Sequence, residues 1–174
     1  MARDINGRLT PIARRNGGVF TVQEARTAGV RADSLRRWAK TNPDVQPDGN
    51  GVYIWYLDDD NIDWNLLPLR RAWAYAGREA ILAAPSVLEY NHIGDIGGMP
   101  FTFIVPKRRR NNPAYRWMVA QQSAQTVTAG IPSSSIARAL KESVGRVDGD
   151  QLTVAIRDAL TKGLISKKEA ANVQ

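Results

Sequence analysis

A helix start, a glycine turn and a second helix follow one another in the first quarter of the chain. Thr21 precedes Glu24 by three residues, the spacing of a capping box, in which each side chain binds a backbone amide that the helix start leaves unpaired. Gly29 ends this helix, and residues 31–40 have a second helical pattern that stops at Asn42 and Pro43. Two short helices joined by a tight glycine turn are typical of a helix-turn-helix.

A β-hairpin is predicted directly after these two helices. Residues 45–47 and 52–56 are the two strand candidates, and the second is rich in β-branched and aromatic residues. Between them lies a turn sequence, Asp48, Gly49, Asn50 and Gly51. A hairpin in this position is typical of the wing of a winged helix-turn-helix, so we expect residues 1–57 to form such a DNA-binding domain.

The polar face of the second helix carries the side chains that this domain type uses to contact DNA. Arginine at the start of a recognition helix can form a bidentate pair with guanine in the major groove, whereas Lys40, at its end, suits a phosphate. The alternative is a solvated helix face on a winged helix that binds protein. The predicted contacts on this helix are Arg31, Ser34, Arg36, Arg37 and Lys40.

Three further DNA contacts are predicted in the same domain but outside this helix. Thr21 and Gln23 lie at the start of the preceding helix, where free amides and the helix dipole favour a phosphate. For Thr21, helix capping alone is an equally good interpretation. Asn50, in the hairpin turn, completes the set.

The charge balance of the chain favours a polyanionic partner. There are 24 Lys and Arg residues against 17 Asp and Glu, a formal net charge of +7. The absence of cysteine excludes disulfides, thiol catalysis and cysteine-containing zinc sites, and the single histidine, His92, excludes a multi-histidine metal centre. We expect no metal, no cofactor and no enzymatic activity.

An acidic segment is predicted to separate two domains. Residues 58–66 include Asp58, Asp59, Asp60 and Asp63 without a basic residue or a periodic pattern. We interpret them as a solvated linker; a magnesium-binding nuclease cluster is the alternative. Residues 67–174 then form the second domain, which makes the expected fold class α+β: a winged helix-turn-helix followed by a mixed α/β domain with a helical C-terminus.

The second domain begins and ends with helical patterns around predicted strands. Helices are expected on both sides of Pro85, at residues 68–76 and 86–92. Strands are expected at residues 100–105 and near 125–129, while the rest of 114–129 is ambiguous. Three helices follow at residues 133–143, 151–162 and 166–172, with Ser133 or Ser134 capping the first and Ser166 the last.

Two clusters in this domain are candidate functional sites. The run Lys107, Arg108, Arg109 and Arg110 follows the first predicted strand, and we include it among the DNA contacts; an acidic protein partner or plain solvation are the alternatives. Glu89, His92 and Asp95 have the spacing of one helix face. A metal-dependent nuclease built on them is an alternative function, but one histidine with two carboxylates is poor zinc chemistry.

Several of these segments, in this order, resemble the AbiEi family of antitoxins and transcriptional regulators of AbiE-type toxin-antitoxin systems. The resemblance lies in residues 18–25 (Gly-Val-Phe-Thr-Val-Gln-Glu-Ala), Gly29 with Val30, residues 51–53 (Gly-Val-Tyr), 101–110, 130–140 and 163–166 (Gly-Leu-Ile-Ser). It implies a repressor that binds repeats in its own promoter and counteracts a nucleotidyltransferase-like toxin. It leaves open whether antitoxin and toxin touch, or whether the protein neutralises a toxin without binding DNA.

The expected setting of the protein follows from the same sequence. No apolar run reaches the roughly 18 residues that a membrane span requires, and the first residues lack the order of a signal peptide. We therefore expect a cytoplasmic protein with no membrane partner, acting on double-stranded DNA as a monomer or dimer.

Overall fold

The structure is a computed structural model that describes residues 2–57, 62–97, 100–110 and 112–173. It is an α+β protein whose chain divides into two compact units, Met1–Gly77 and Arg78–Gln174.

The first unit packs its helices against a small antiparallel sheet. The sheet has the order β1-β3-β2, and register pairs Phe20 with Tyr53 and Gln46 with Ile54. Its elements, in chain order, are α1 (Ala2–Arg15), β1 (Val19–Thr21), α2 (Val22–Thr27), α3 (Ala32–Thr41), β2 (Val45–Gly49), β3 (Val52–Trp55) and α4 (Leu67–Ala76).

The predicted helix-turn-helix residues adopt the expected local conformations. Thr21 caps α2, accepting from the Glu24 amide at 3.1 Å, while the Glu24 carboxylate accepts from the Thr21 amide at 2.8 Å. This confirms the capping box. Gly29 has φ +79°, a left-handed conformation that favours glycine, so a side chain at this turn would be strained.

Four aromatic side chains hold α3 against the sheet. Phe20 stacks on Tyr53 with ring centroids 5.5 Å apart, and Trp38 meets Trp55 edge-on at 4.9 Å. All four are buried. Trp38 also donates its indole N–H to Oδ1 of Asn6 on α1 at 2.6 Å. The position of α3 relative to the hairpin is therefore fixed by packing on both sides.

The first unit is larger than the predicted 1–57 domain. Helix α4, which the sequence assigned to the second domain, packs on the sheet instead: Ile62, Leu67 and Ala74 form one buried cluster with Val52 and Ile54. The sheet would otherwise expose these strand residues to solvent. The boundary between the two compact units lies at Gly77. In the described part of the predicted linker, Ile62 is buried in this cluster, whereas Asp63, Trp64 and Asn65 are exposed; residues 58–61 lie outside the described residues.

The second unit is built on a five-stranded mixed sheet of order β6-β5-β4-β8-β7. Strands β5 and β6 are parallel, as are β4 and β8, while β4–β5 and β7–β8 are antiparallel. Its elements are β4 (Ile81–Leu82), α5 (Ala84–Tyr90), β5 (Phe101–Val105), β6 (Tyr115–Val119), β7 (Thr126–Thr128), β8 (Ile131–Ser133), α6 (Ile136–Ser143), α7 (Gly149–Thr161) and α8 (Lys167–Ala171).

Two helix starts in this unit differ from the prediction. Ser135, not Ser133 or Ser134, caps α6 by accepting from the Arg138 amide at 3.3 Å, because Ser133 is the last residue of β8 and pairs with Leu82. Helix α5 contains Pro85 in its first turn instead of starting after it. Proline is tolerated there because the first amides of a helix have no partner inside it.

Candidate nucleic-acid interface

The predicted DNA contacts on α3 lie on one exposed surface. Arg31, Arg36, Arg37 and Lys40 are exposed, and Ser34 is half-buried. The opposite side of the helix is held in the core by Leu35, Trp38 and Ala39. Helix α3 begins at Ala32, so Arg31 is its N-cap residue, and its side chain makes no capping hydrogen bond. The cationic residues thus project from a helix whose orientation the core determines.

One carboxylate lies among these cations. Asp33 forms an ion pair with Arg36 at 3.2 Å, with about two-thirds of each side chain exposed (68% and 71%), and its backbone carbonyl accepts from Nε of Arg37 at 3.4 Å. An ion pair this exposed is worth little, about 0–1 kcal/mol, because water competes for both partners. Arg36 can exchange Asp33 for another anion at small cost.

A groove runs between α3 and the β2–β3 hairpin, and we call it the α3–hairpin groove. It encloses about 540 Å³. Tyr53 and Pro47 supply its hairpin side, so the cations of α3 lie beside the hairpin rather than on an isolated helix. The lining residues are Asp33, Arg36, Arg37, Ala39, Lys40, Pro47 and Tyr53.

The three remaining predicted contacts of this unit have different environments. The Thr21 hydroxyl accepts from the Glu24 amide and lies 3.0 Å from Oε2 of Glu24, so its observed role is capping. Gln23 is exposed on the first turn of α2. Asn50 is exposed at the hairpin turn with φ +50°, a left-handed conformation that asparagine tolerates better than most residues.

Two arginines that the sequence analysis did not select position these elements. Arg71 on α4 binds Asp48, in β2 beside the hairpin turn, through two hydrogen bonds. Arg8 on α1 donates to the carbonyl of Gly29 at 3.1 Å and pairs with Asp4 at 2.9 Å. Both arginines join elements 20 or more residues apart, and no local pattern in the sequence indicates such pairs.

The basic run lies in the second unit, in the segment after β5. Lys107, Arg108 and Arg110 are exposed, whereas Arg109 pairs with Glu79 at 3.1 Å. The indole N–H of Trp117 donates to the Arg110 carbonyl at 3.0 Å, which ties the segment to β6. These four residues and the α3 cations belong to different compact units.

The Glu89, His92 and Asp95 spacing does not correspond to one helix face. Helix α5 ends at Tyr90, and His92 has φ +53°, so the helical register stops before it. Among the described residues, no group of three or more acidic or histidine side chains is placed to hold a metal. Burial raises the pKa of Glu89, against a smaller lowering by His92, and burial followed by the charge of Glu89 raises the pKa of Tyr90 to about 12.

Comparisons with known proteins add information on the fold. No family model matches the chain, and no curated protein matches its sequence. The chain is similar to the crystal structure of the RV2827C protein from Mycobacterium tuberculosis, with 15% sequence identity and a TM-score of 0.53 over 97% of this chain and 70% of that one. Within the described residues, no helix has the length and apolar character needed to cross a membrane.

Proposed function

We propose that this protein is a DNA-binding transcriptional repressor that acts as the antitoxin of a toxin-antitoxin operon. In this proposal the first unit is a winged helix-turn-helix: α2 and α3 are the helix pair, and β2 and β3 are the wing. Helix α1 supports them, and β1 completes the sheet.

The exposed face of α3 is the observation that carries the proposal. Arg36, Arg37 and Lys40 project from one side of a helix whose other side is buried. A recognition helix needs this division, because the core must orient it while its free face enters the major groove. Arg36 and Arg37 are the proposed base-reading residues, and Lys40 is the proposed phosphate contact.

The hairpin and the start of α3 supply the remaining proposed contacts. In this proposal, phosphates that flank the bases read by α3 are contacted by Asn50 at the exposed turn, Gln23 and Arg31. Such contacts fix the register of a protein on the duplex without reading its sequence.

The antitoxin role and the identity of the partner rest on the sequence resemblance to the AbiEi family. The partner would be a nucleotidyltransferase-like toxin, and the repressor would act in the cytoplasm on repeats in its own promoter. The similarity to RV2827C supports only the fold, since its name states no activity.

Binding to the promoter upstream of the gene tests the repressor part of the proposal. We expect tighter binding to a labelled promoter duplex than to a scrambled duplex of the same composition, at two salt concentrations. Affinity for both duplexes should fall with salt, by about one unit of log–log slope for each phosphate neutralised. Equal affinities for promoter and scrambled DNA would refute sequence-specific repression.

Co-expression tests the antitoxin part separately. A nucleotidyltransferase encoded beside this gene should arrest growth when expressed alone, and this protein should restore growth. Growth arrest that persists at full expression of this protein refutes the antitoxin role, whatever the result with DNA.

A further inference from the structure

The Tyr53 side chain is buried on the hairpin side of the α3–hairpin groove, yet its hydroxyl has no hydrogen-bond partner. Only 7% of the residue is exposed. In the part of the chain that the structure describes, the hydroxyl forms no hydrogen bond, and the buried side-chain atoms that lack a partner belong to other residues. The oxygen is therefore open to the groove that Tyr53 lines. Since a buried tyrosine hydroxyl usually has a partner, this one has a donor free for a ligand.

Packing fixes the position of the Tyr53 ring. Side chains alternate along β3, so Tyr53 packs in the core cluster with α3, whereas Val52 and Ile54 pack in the cluster with α4. The strand register places Tyr53 between Phe20 on β1 and Pro47 on β2, and its ring stacks on Phe20 with centroids 5.5 Å apart. The hydroxyl is thus held in place before a ligand binds, which lowers the ordering cost of binding.

The polar side chains across the groove from this hydroxyl are mostly hydrogen-bond donors. Arg36, Arg37 and Lys40 line the groove on α3, and arginine and lysine side chains donate hydrogen bonds but do not accept them. Lys40 is exposed and has no ion-pair partner within the described residues. Asp33, the acidic residue among the described lining residues, is paired with Arg36. A groove of this composition favours an anionic ligand whose polar atoms are acceptors.

A backbone phosphate of DNA fits these donors better than a base edge does. Every base pair presents at least one donor in the major groove, whereas the free oxygens of a phosphodiester only accept hydrogen bonds. The groove is continuous with the exposed face of α3, where the proposed function places the duplex. A helix in the major groove has a sugar–phosphate backbone along each side, and the hairpin stands where one of them would pass.

We propose that one backbone phosphate of the bound duplex lies in the α3–hairpin groove, where the Tyr53 hydroxyl and the Lys40 ammonium group both donate to its oxygens. This inference rests on the proposed function, because it requires α3 to dock on DNA. It adds Tyr53 as a residue that fixes the register of the protein on the duplex without reading its sequence.

Phenylalanine variants isolate the contribution of this hydroxyl. Tyr53→Phe deletes the hydroxyl and keeps the ring that stacks on Phe20. Because the hydroxyl has no partner in the described chain, its loss should leave the free energy of unfolding in urea unchanged. Tyr56→Phe is the matched control, since it removes a hydroxyl that bonds to Gln46 at 3.1 Å and lies outside the groove lining. Lys40→Ala removes the charged donor to the same phosphate.

Fluorescence anisotropy of the full chain with labelled promoter and scrambled duplexes measures the effect on binding. We expect Tyr53→Phe to weaken binding to both duplexes by about tenfold, because it loses a hydrogen bond to a charged group and phosphate contacts carry no sequence information. Its affinity should keep the wild-type salt dependence, since an uncharged hydroxyl releases no counterion. Lys40→Ala should lower the log–log slope by about one, and Tyr56→Phe should bind like the wild type.

Promoter duplexes that each carry one methylphosphonate identify the phosphate. One position should weaken binding by the wild type and have a much smaller effect on Tyr53→Phe, because that variant has already lost the contact. The effect at the same position should also be smaller for Lys40→Ala. If no position behaves in this way, the two side chains do not share a phosphate and the inference is wrong.

The remaining outcomes separate this inference from the proposed function. Unchanged affinity of Tyr53→Phe for both duplexes overturns the inference and leaves the repressor proposal intact, whereas a wild type that binds neither duplex overturns both. A loss of affinity confined to the promoter assigns the hydroxyl to a base, and a loss of stability in Tyr53→Phe assigns it a structural role. Either result overturns the phosphate contact.

Discussion

Arg71 on α4 holds Asp48 of the hairpin through two parallel hydrogen bonds, Nε to Oδ2 at 2.8 Å and Nη2 to Oδ1 at 2.5 Å. The bidentate geometry fixes the hairpin relative to α4 in a way that a single contact would not. Asp48 has 21% of its side chain exposed and Arg71 has 44%, so the pair is partly shielded from water. Helix α4 therefore stabilises the position of the hairpin.

Replacing either partner should loosen the hairpin. We expect Arg71→Ala or Asp48→Ala to lower the free energy of unfolding by about 1 kcal/mol, and amide exchange in β2 and β3 to accelerate. Urea unfolding of both single variants and the double variant measures the coupling. Additive losses of unfolding free energy would mean that the two side chains act independently. The Arg71→Lys variant keeps only the charge, so its unfolding free energy should lie between those of the wild type and Arg71→Ala.

Removing the cap of α2 should reduce stability rather than DNA affinity. Thr21→Ala deletes the oxygen that accepts from the Glu24 amide, which costs about 1 kcal/mol, whereas Thr21→Ser keeps it. Chemical denaturation measures the stability, and anisotropy at a temperature where both variants are folded measures the affinity. A large loss of affinity in Thr21→Ala at unchanged stability would restore Thr21 as a DNA contact.

The position of the boundary predicts which fragment folds. A fragment of residues 1–77 should show a cooperative thermal transition by circular dichroism. A fragment of residues 1–57 should not, because it lacks Ile62, Leu67 and Ala74, which cover the sheet. Cooperative unfolding of the shorter fragment at a similar temperature would show that α4 is dispensable.

Glu89 should make the protein less stable as pH rises. Burial raises the pKa of Glu89 above the usual glutamate value of 4.5, so the folded state holds this proton more tightly than the unfolded state. The stabilisation is complete below pH 4.5 and is lost as pH rises through the folded-state pKa. Glu89→Gln should therefore match the wild type near pH 4 and exceed it at pH 8. A constant difference in unfolding free energy between these pH values would contradict this assignment.

The local signals in the sequence predict the first unit well, but its boundaries depend on distant contacts. A capping box and a glycine turn are complete within a few residues, so α2, α3 and the hairpin follow from the sequence. Pro11 lies inside α1, although proline is normally tolerated only in the first turn of a helix. The buried stripe of Ile5, Leu9 and Ala13 continues the helix through it. Strand β1 was missed since it exists only by pairing with β3.

The strands of the second unit depend even more on contacts that are distant in the sequence. Strands β4 and β8 have two and three residues, too few for a periodic pattern, and they form only because neighbouring strands supply their hydrogen bonds. Strand β6 was ambiguous because aromatic residues compete with helix-forming ones nearby. Arg108 and Arg109 line one groove with Tyr115 and Trp117 of β6, whereas the sequence presents the basic run and the aromatic strand as separate features.

The most direct test of the account is operator binding by the Arg36→Ala, Arg37→Ala variant. Both side chains are exposed, so this variant should fold like the wild type by circular dichroism. Its affinity for the promoter duplex should fall by at least about tenfold, since each base-reading arginine is worth about 1–3 kcal/mol. The control Arg157→Ala, Lys168→Ala loses the same charge on α7 and α8 and should retain affinity. Wild-type promoter affinity in the Arg36/Arg37 variant would contradict recognition of DNA by α3.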